Sequence, residues 1–203
     1  GIVITRGRVA PFIVTLGMMT AARGLALVAS GGKPVSNLSR GFTRAGSGDL
    51  LGIPYPALIF FAVAALAWVF LSRTRWGRYI YAVGGNSAAA RASGIRVDRI
   101  KLLAYTISGL MAGLAGVVLA ARITTGQPNA GVGYELDAIA AVVIGGTSLS
   151  GGVGGIGGAI LGAVLMGVIN NGLDLLNVSS YYQQIVKGLI IVGAVLMDRK
   201  GDR

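Results

Sequence analysis

Long apolar stretches alternate with short polar connections along the chain. Several of the stretches are close to the ~20 residues that cross the hydrocarbon core of a bilayer as a helix. The predicted spans cover 11–29, 56–72, 102–121, 154–172 and 185–197, and a short apolar piece covers 138–145. The pattern predicts an all-α integral membrane fold, a polytopic helical bundle with about five transmembrane helices plus one short broken or re-entrant piece.

Basic residues in the connections predict the orientation of the spans, because cytoplasmic loops carry an excess of Lys and Arg. The 73–101 connection has one acid, Asp98, and seven basic residues: Arg73, Arg75, Arg78, Arg91, Arg96, Arg99 and Lys101. We therefore expect this loop to be cytoplasmic. The same rule places the basic ends of the chain inside, and the connections at 30–55 and 122–137 outside. The residues that predict the position of the two ends are Arg6, Arg8, Arg199, Lys200 and Arg203.

The composition excludes several classes of function. Of the 203 residues, 54% are hydrophobic and 12% are charged, with a formal net charge of +11 and with neither His nor Cys. Without these two residue types, and with no nucleophile beside a base, we expect no catalytic residue and no metal site. The cations lie in loops beside the membrane and no nucleic-acid fold signature accompanies them, so the positive charge does not indicate nucleic-acid binding.

Neither of two common nucleotide-binding motifs is convincing in this sequence. A G-x-G-x-x-G pattern occurs at Gly152, Gly154 and Gly157, but an apolar, glycine-rich helix follows it and no βαβ unit surrounds it. No Walker A sequence is visible. The chain also begins without Met, which predicts a piece of a longer polypeptide and a single transmembrane domain over 1–203 that is N-terminally incomplete.

Glycines recur at the spacing that lets transmembrane helices approach closely. We predict helix packing at Gly109, Gly113, Gly154, Gly158 and Gly162. These glycines can pack within one bundle or between two protomers, and we expect packing within one bundle. The polar, glycine-rich run at 145–158 is either a broken helix of the kind that marks transport sites or a tight surface loop.

Polar residues within apolar spans are candidates for a solute path. Arg23 either lines such a path or extends to the nearby interface. Lys187 is expected to extend outward, and Glu135 and Asp137 to lie in a hydrated loop. The candidate path residues are Thr15, Arg23, Thr147, Ser148, Asn170 and Asn171.

A short Ala- and Arg-rich run at 87–95 predicts a small helix within the cytoplasmic loop. Ser87 is a suitable N-cap, and Gly94 is a suitable left-handed residue just after the helix. A helix this short is marginal alone, and it lacks the strong apolar face of a lipid-surface helix. We therefore expect it to dock into a groove on a partner protein.

Three segments together resemble the sugar-type, ribose-like ATP-binding-cassette permeases. The segments are G-R-Y-I-Y-A-V-G-G-N at 77–86 with A-A-A-R-A-S-G-I at 88–95, P-F-I-V-T-L-G-M-M-T-A-A-R-G-L-A-L-V-A-S-G-G at 11–32, and A-V-V-I-G-G-T-S-L-S-G-G-V-G-G-I-G-G-A-I-L-G at 141–162. The resemblance implies a multi-pass subunit of the bacterial inner membrane that imports a monosaccharide by alternating access. It also implies a transporter subunit rather than an enzyme, since ATP is bound and hydrolysed by a separate chain and this chain binds no cofactor.

The same resemblance implies three protein partners: a cytoplasmic ATPase subunit, a periplasmic or lipid-anchored sugar-binding protein, and a second permease protomer. The residues that match the ATPase-contact loop are Gly85, Asn86, Ala89, Arg91, Ser93, Gly94 and Ile95. The alternative function is an ion-coupled secondary transporter or a channel. That class needs intramembrane ion ligands or an inverted repeat, and neither is visible in the sequence.

Overall fold

The computed structural model describes residues 1–7 and 9–201, and nearly all of its regular structure is helical. The helices of this part of the chain are α1 (Ile2–Gly7), α2 (Pro11–Ser30), α3 (Arg40–Ser47), α4 (Tyr55–Arg73), α5 (Arg75–Gly85), α6 (Ser87–Ala92), α7 (Val97–Arg122), α8 (Tyr134–Ile144), α9 (Ile156–Leu175) and α10 (Ser180–Gly201). A two-stranded antiparallel hairpin joins β1 (Asp49–Leu50) to β2 (Ile53–Pro54), with Leu50 opposite Ile53. Arg8 and Arg203, which entered the charge argument, lie outside the described residues, as do the side chains of Arg199 and Lys200.

Four helices in the described residues, α2, α4, α7 and α9, are long and apolar enough to cross a membrane. They coincide with four of the predicted spans, and the fifth predicted span lies within α10. The short piece corresponds to α8, whose 11 residues would extend only about 16 Å. The predicted all-α integral membrane fold is confirmed. Helices α7 and α10 begin five residues before the predicted spans. Helix α9 begins two residues after its predicted start, at Ile156, so Gly154 lies in the preceding loop with φ 147°.

One packed unit comprises residues Gly1–Ala65 and Arg96–Ala130. Its central contact is between α3 and α7, where Gly46 lies directly against the backbone of Ala121 and Arg122. A side chain at Gly46 would overlap that backbone, so the close approach requires glycine. Two hydrogen bonds of 2.9 Å pair Val35 with Gly126 and tie the loop after α2 to the loop after α7.

The other unit comprises Leu66–Ile95 and Gly131–Arg203. Here α8 and α9 form an antiparallel pair, in which Gly158 lies against the Gly145 carbonyl and Gly162 against the Ala141 carbonyl. Helix α10 packs on α8. The core of this unit is Ala140, Ala141 and Met166, surrounded by Ile144, Ala163, Ile169, Ile190 and Ile191.

Candidate functional site

Helix α6 is held at its N-terminus by the side chain of Asn86. The Asn86 Oδ1 atom accepts hydrogen bonds from the Ala88 N–H at 3.0 Å and the Ala89 N–H at 2.9 Å. The prediction of Ser87 as the N-cap is wrong, because Ser87 is already the first helical residue while Asn86 keeps an extended backbone. This cap satisfies two N–H groups that would otherwise lack a partner in so short a helix.

The C-terminus of α6 is closed by backbone hydrogen bonds around a left-handed glycine. Gly94 has φ 83°, its N–H donates to the Arg91 carbonyl, and the Ile95 N–H donates to the Ala90 carbonyl, both at 3.0 Å. This is the 6→1 and 5→2 pattern of a Schellman motif, and the predicted left-handed role of Gly94 is confirmed. With both ends fixed, a helix of six residues has a defined shape.

The seven residues that match the ATPase-contact loop lie together around α6. Ile95 is half-buried, and the other six are exposed: Gly85, Asn86, Ala89, Arg91, Ser93 and Gly94. Between them Ala90 is buried, with 5% of its surface exposed. The helix therefore buries the small side chain of Ala90, while Ala89, Arg91 and Ser93 are exposed.

A contact between glycine backbones lies directly before α6. We call it the glycine contact; it joins Gly84 and Gly85, at the end of α5, to Gly151 and Gly152 in the loop before α9. A Cβ atom on Gly84 would lie 2.6 Å from the Gly152 nitrogen, and one on Gly152 would lie 2.6 Å from the Gly85 Cα atom. Both loop glycines also have positive φ, at 97° and 78°. Any side chain at Gly152 would meet backbone, which cannot rotate away.

A side-chain hydrogen bond reinforces the glycine contact. The Tyr81 hydroxyl, one turn earlier on α5, donates to the Gly154 carbonyl at 3.0 Å. The run at 145–158 is thus anchored to the segment that carries α6. Sequence reasoning missed this partner, because glycine spacing marks a permitted close approach but does not identify what approaches.

The candidate path residues are divided between the two packed units. Thr15 is exposed and its hydroxyl bonds the Phe12 carbonyl within α2, where Arg23 is half-buried. In the other unit, Thr147 and Ser148 are half-buried in the loop between α8 and α9. Near the opposite end of α9, Asn170 is half-buried and Asn171 is exposed. Most of the length of α9 separates the Thr147–Ser148 pair from the Asn170–Asn171 pair.

An ion pair between α8 and α10 was not anticipated from the sequence. The Lys187 Nζ atom lies 2.9 Å from the Asp137 Oδ2 atom, and the two side chains are 22% and 21% exposed. The expectation that Lys187 extends outward is therefore wrong, as is the placement of Asp137 in a hydrated loop, since it lies in the first turn of α8. A lone Lys in an apolar span indicates a partner of opposite charge, and that signal was available.

Comparison with known proteins identifies the family. A family profile described as branched-chain amino acid transport system / permease component matches residues 1–195. The chain belongs to this permease family. The ribose import permease protein RbsC of Bacillus subtilis is 52% identical over 202 residues, which is 98% of this chain and 63% of that protein. RbsC of Escherichia coli is also 52% identical, over 98% of this chain and 64% of that protein.

More distant relatives carry other sugar names. The D-allose transport system permease protein AlsC of Escherichia coli is 45% identical over 93% of this chain and 58% of that protein. No solved structure matches the chain. The chain spans about 63% of the length of the first relative. The resemblance to sugar-type permeases is confirmed, and the chain is a multi-pass protein of the inner membrane.

Proposed function

We propose that the chain is the membrane-spanning part of an ATP-driven importer for a monosaccharide, a ribose-like pentose or a hexose. The solute crosses by alternating access, and a separate subunit binds and hydrolyses ATP. The observation that carries the proposal is the combination of 52% identity to ribose permeases with a capped, exposed helix anchored to the membrane helices. The whole chain from 1 to 203 acts as one permease domain in this account.

The shape of α6 supports its role as the ATPase contact. Its two caps keep the helix formed without a partner, so little ordering is needed when it docks. Its exposed face presents Ala89, Arg91 and Ser93 around a small surface that a groove can enclose. This geometry favours docking to a protein, as a helix-in-groove contact, over binding to lipid.

The glycine contact supports a route from α6 to the membrane helices. A push on α6 reaches Gly84 and Gly85 without an intervening flexible side chain. The loop that they touch leads directly into α9, so the displacement would be transmitted as movement of one backbone against another. Rigid-body rocking of packed helices is an established form of conformational coupling.

The sugar class rests on the relatives rather than on the family description. That description names branched-chain amino acids, whereas the ribose and allose permeases are 52% and 45% identical to this chain. We therefore assign a neutral, polyhydroxylated solute. Saturable uptake of L-leucine in place of D-ribose would contradict this assignment.

The partners and the orientation complete the proposal. An ATPase subunit contacts the cytoplasmic loop 73–101, a periplasmic or lipid-anchored binding protein delivers the sugar, and a second permease protomer completes the path. The C-terminus lies in the cytoplasm. The excess of basic residues in loop 73–101 supports this orientation. An ion-coupled transporter remains the alternative, and it predicts uptake without any ATPase.

A charge reversal at Arg91 tests the proposed contact. We expect Arg91→Glu to lower sugar uptake and sugar-stimulated ATP hydrolysis by at least about tenfold, because a like charge or lost ion pair at a docked surface costs more than ~1.4 kcal/mol. Uptake and ATP hydrolysis are measured with the permease and its ATPase in proteoliposomes. Arg91→Lys should retain most activity.

The matched control is Arg75→Glu, the same charge change in the same loop but outside α6. We expect it to reduce coupling much less than Arg91→Glu. The amount of each variant in the membrane is measured by immunoblot to separate coupling from folding. Normal coupled hydrolysis in Arg91→Glu, or equal losses in both variants, would contradict docking through α6.

A further inference from the structure

Three polar residues continue the faces that form the core of the second unit. Residues three and four apart on a helix share a face. Asp137 precedes the core residues Ala140 and Ala141 by that spacing, and Lys187 precedes Ile190 and Ile191 in the same way. Asn170 follows Met166 by four residues. The polar residues therefore lie at one end of this core, where α8 begins and α9 approaches its own end.

Two acceptor atoms at this end have no hydrogen-bond partner among the described residues. Asp137 uses its Oδ2 atom for Lys187, while its Oδ1 atom is buried and unpaired. The Oδ1 atom of Asn170 is also buried and unpaired. Buried acceptors are almost always bonded in native proteins, and a specific exception calls for an explanation.

Further polar side chains extend the same faces towards the helix ends. Gln183 lies four residues before Lys187, and Asp174 lies four residues after Asn170. The Gln183 Nε2 atom donates to the Asp174 Oδ1 atom at 2.8 Å and to the Val178 carbonyl at 3.0 Å. Asp174 is exposed. A stripe of polar groups thus leads from the surface to the two buried acceptors.

We propose that Asp137, Lys187 and Asn170 form a binding site for a neutral, polyhydroxylated solute. The Lys187 ammonium neutralises the Asp137 carboxylate, so the site offers acceptors without a net charge. Two hydroxyl groups of the solute donate to the two free acceptors, and a third can accept from the Lys187 Nζ atom. Neither an anion nor a cation gains a net Coulomb attraction from this neutral pair, so an ion would lose its hydration in the site without compensation. This inference rests on the proposed function and adds Asp137 and Lys187 to its solute path.

An apolar substitution at Asn170 separates binding from packing. If the unpaired Oδ1 atom only destabilises the fold, Asn170→Leu leaves uptake unchanged, because it removes a buried unsatisfied acceptor. If the atom binds solute, we expect KM for D-ribose uptake to rise by about tenfold, the loss of one hydrogen bond. Gln184→Leu, at an exposed position of α10 that belongs to none of the candidate sites, is the matched control and should keep the KM of the unchanged protein.

The ion pair is tested by removing both charges together. Asp137→Asn combined with Lys187→Met avoids leaving one buried charge without its partner. We expect this double variant to reach the membrane and bind the ATPase as the unchanged protein does, and to show a raised KM for D-ribose. An unchanged KM in both this variant and Asn170→Leu would overturn the proposed site.

A readout independent of transport uses the absence of Cys from the chain. Asn170→Cys is labelled in the full protein with a membrane-impermeant methanethiosulfonate, with and without D-ribose. At a sugar concentration ten times Kd, we expect the labelling rate to fall by about tenfold, since the free fraction falls in that proportion. Gln184→Cys, at the exposed control position, should show no such protection.

The outcomes distinguish the site from the proposed function. Saturable D-ribose uptake without protection of Asn170→Cys overturns the site and leaves the proposed function standing. Protection by D-ribose without uptake supports the site and overturns the proposed function. Protection by L-leucine and not by D-ribose overturns the assignment of a neutral polyhydroxylated solute.

Discussion

The glycine-spaced face of α7 and that of the α8–α9 pair differ in what lies against them. On α9, Gly158 and Gly162 lie directly against carbonyl groups of α8. On α7, a Cβ atom added at Gly109 or Gly113 would meet no described atom of its own unit within 4 Å. The residue spacing is the same in both helices, yet only one of the two faces is used within its unit.

The difference shows what a small-residue motif does and does not specify. Glycine removes the side chain that would keep two helices apart, and this makes close packing possible. Whether packing occurs depends on a second helix with matching length and orientation. Helix α9 has such a neighbour in α8, since the 11-residue break between them turns the chain back on itself. The open face of α7 stays a candidate for contact between protomers.

The largest loss of stability is expected from a side chain added to the face of α9 that packs against α8. Gly162→Leu would place a side chain where the Ala141 carbonyl lies, and backbone there cannot move without separating α8 from α9. Overpacking of this kind commonly costs about 1–3 kcal/mol, and more where only backbone is available to yield. We expect little or no protein in the membrane, measured by immunoblot and by thermal unfolding in detergent. Normal abundance and stability would show that the contact is not needed.

A substitution at the glycine contact is expected to reduce the coupling of uptake to ATP hydrolysis without preventing folding. Gly152→Ala introduces a Cβ atom against Gly85 at a position with φ 78°, so the loop must shift away from α5. We expect the protein to reach the membrane but sugar uptake per ATP hydrolysed to fall by about tenfold, because the link to α6 is displaced.

The control for this variant lies three residues away. Gly155 has an extended backbone, and a Cβ atom there would meet no described atom within 4 Å. Gly155→Ala should therefore leave coupling unchanged. Equal uptake per ATP in the two alanine variants would remove the glycine contact from the proposed route.

The smallest change in stability is expected from a side chain added to the glycine-spaced face of α7. The Cβ atom that Gly113→Leu adds would meet no described atom within 4 Å, and Leu is a better helix former than Gly. The free energy of unfolding in detergent should therefore change by less than about 1 kcal/mol. If this face packs between protomers, the variant will instead lose the dimer on size-exclusion chromatography. A large loss of thermal stability without any change in oligomeric state would show that this face of α7 packs within its own protomer, which contradicts the interpretation.

The spans could be predicted from sequence because the bilayer imposes one length and one composition on them. The span at 56–72 could be assigned to a helix from its own length and composition, without knowing what packs against it. The role of Gly94 could also be predicted from the local sequence, since it depends on backbone conformation alone. The fold class therefore follows from short-range pattern.

The contacts that define the candidate sites could not be predicted in the same way. Asn86 and Ser87 are both good N-caps, and only the end of α5 decides which one is extended. Asp137 and Lys187 are 50 residues apart, so their pairing depends on how α10 returns to α8. The glycine contact joins α5 to a loop nearly 70 residues later, and glycine has no side chain to indicate a partner.

The most direct test of the account is D-ribose uptake into proteoliposomes that contain the permease with its ATPase and binding-protein partners. Enclosed ATP is compared with a non-hydrolysable analogue, in the presence and absence of proton and sodium gradients. We expect uptake that requires ATP hydrolysis and persists when both ion gradients are collapsed. Uptake by the permease alone, driven by an ion gradient without ATP, would contradict it.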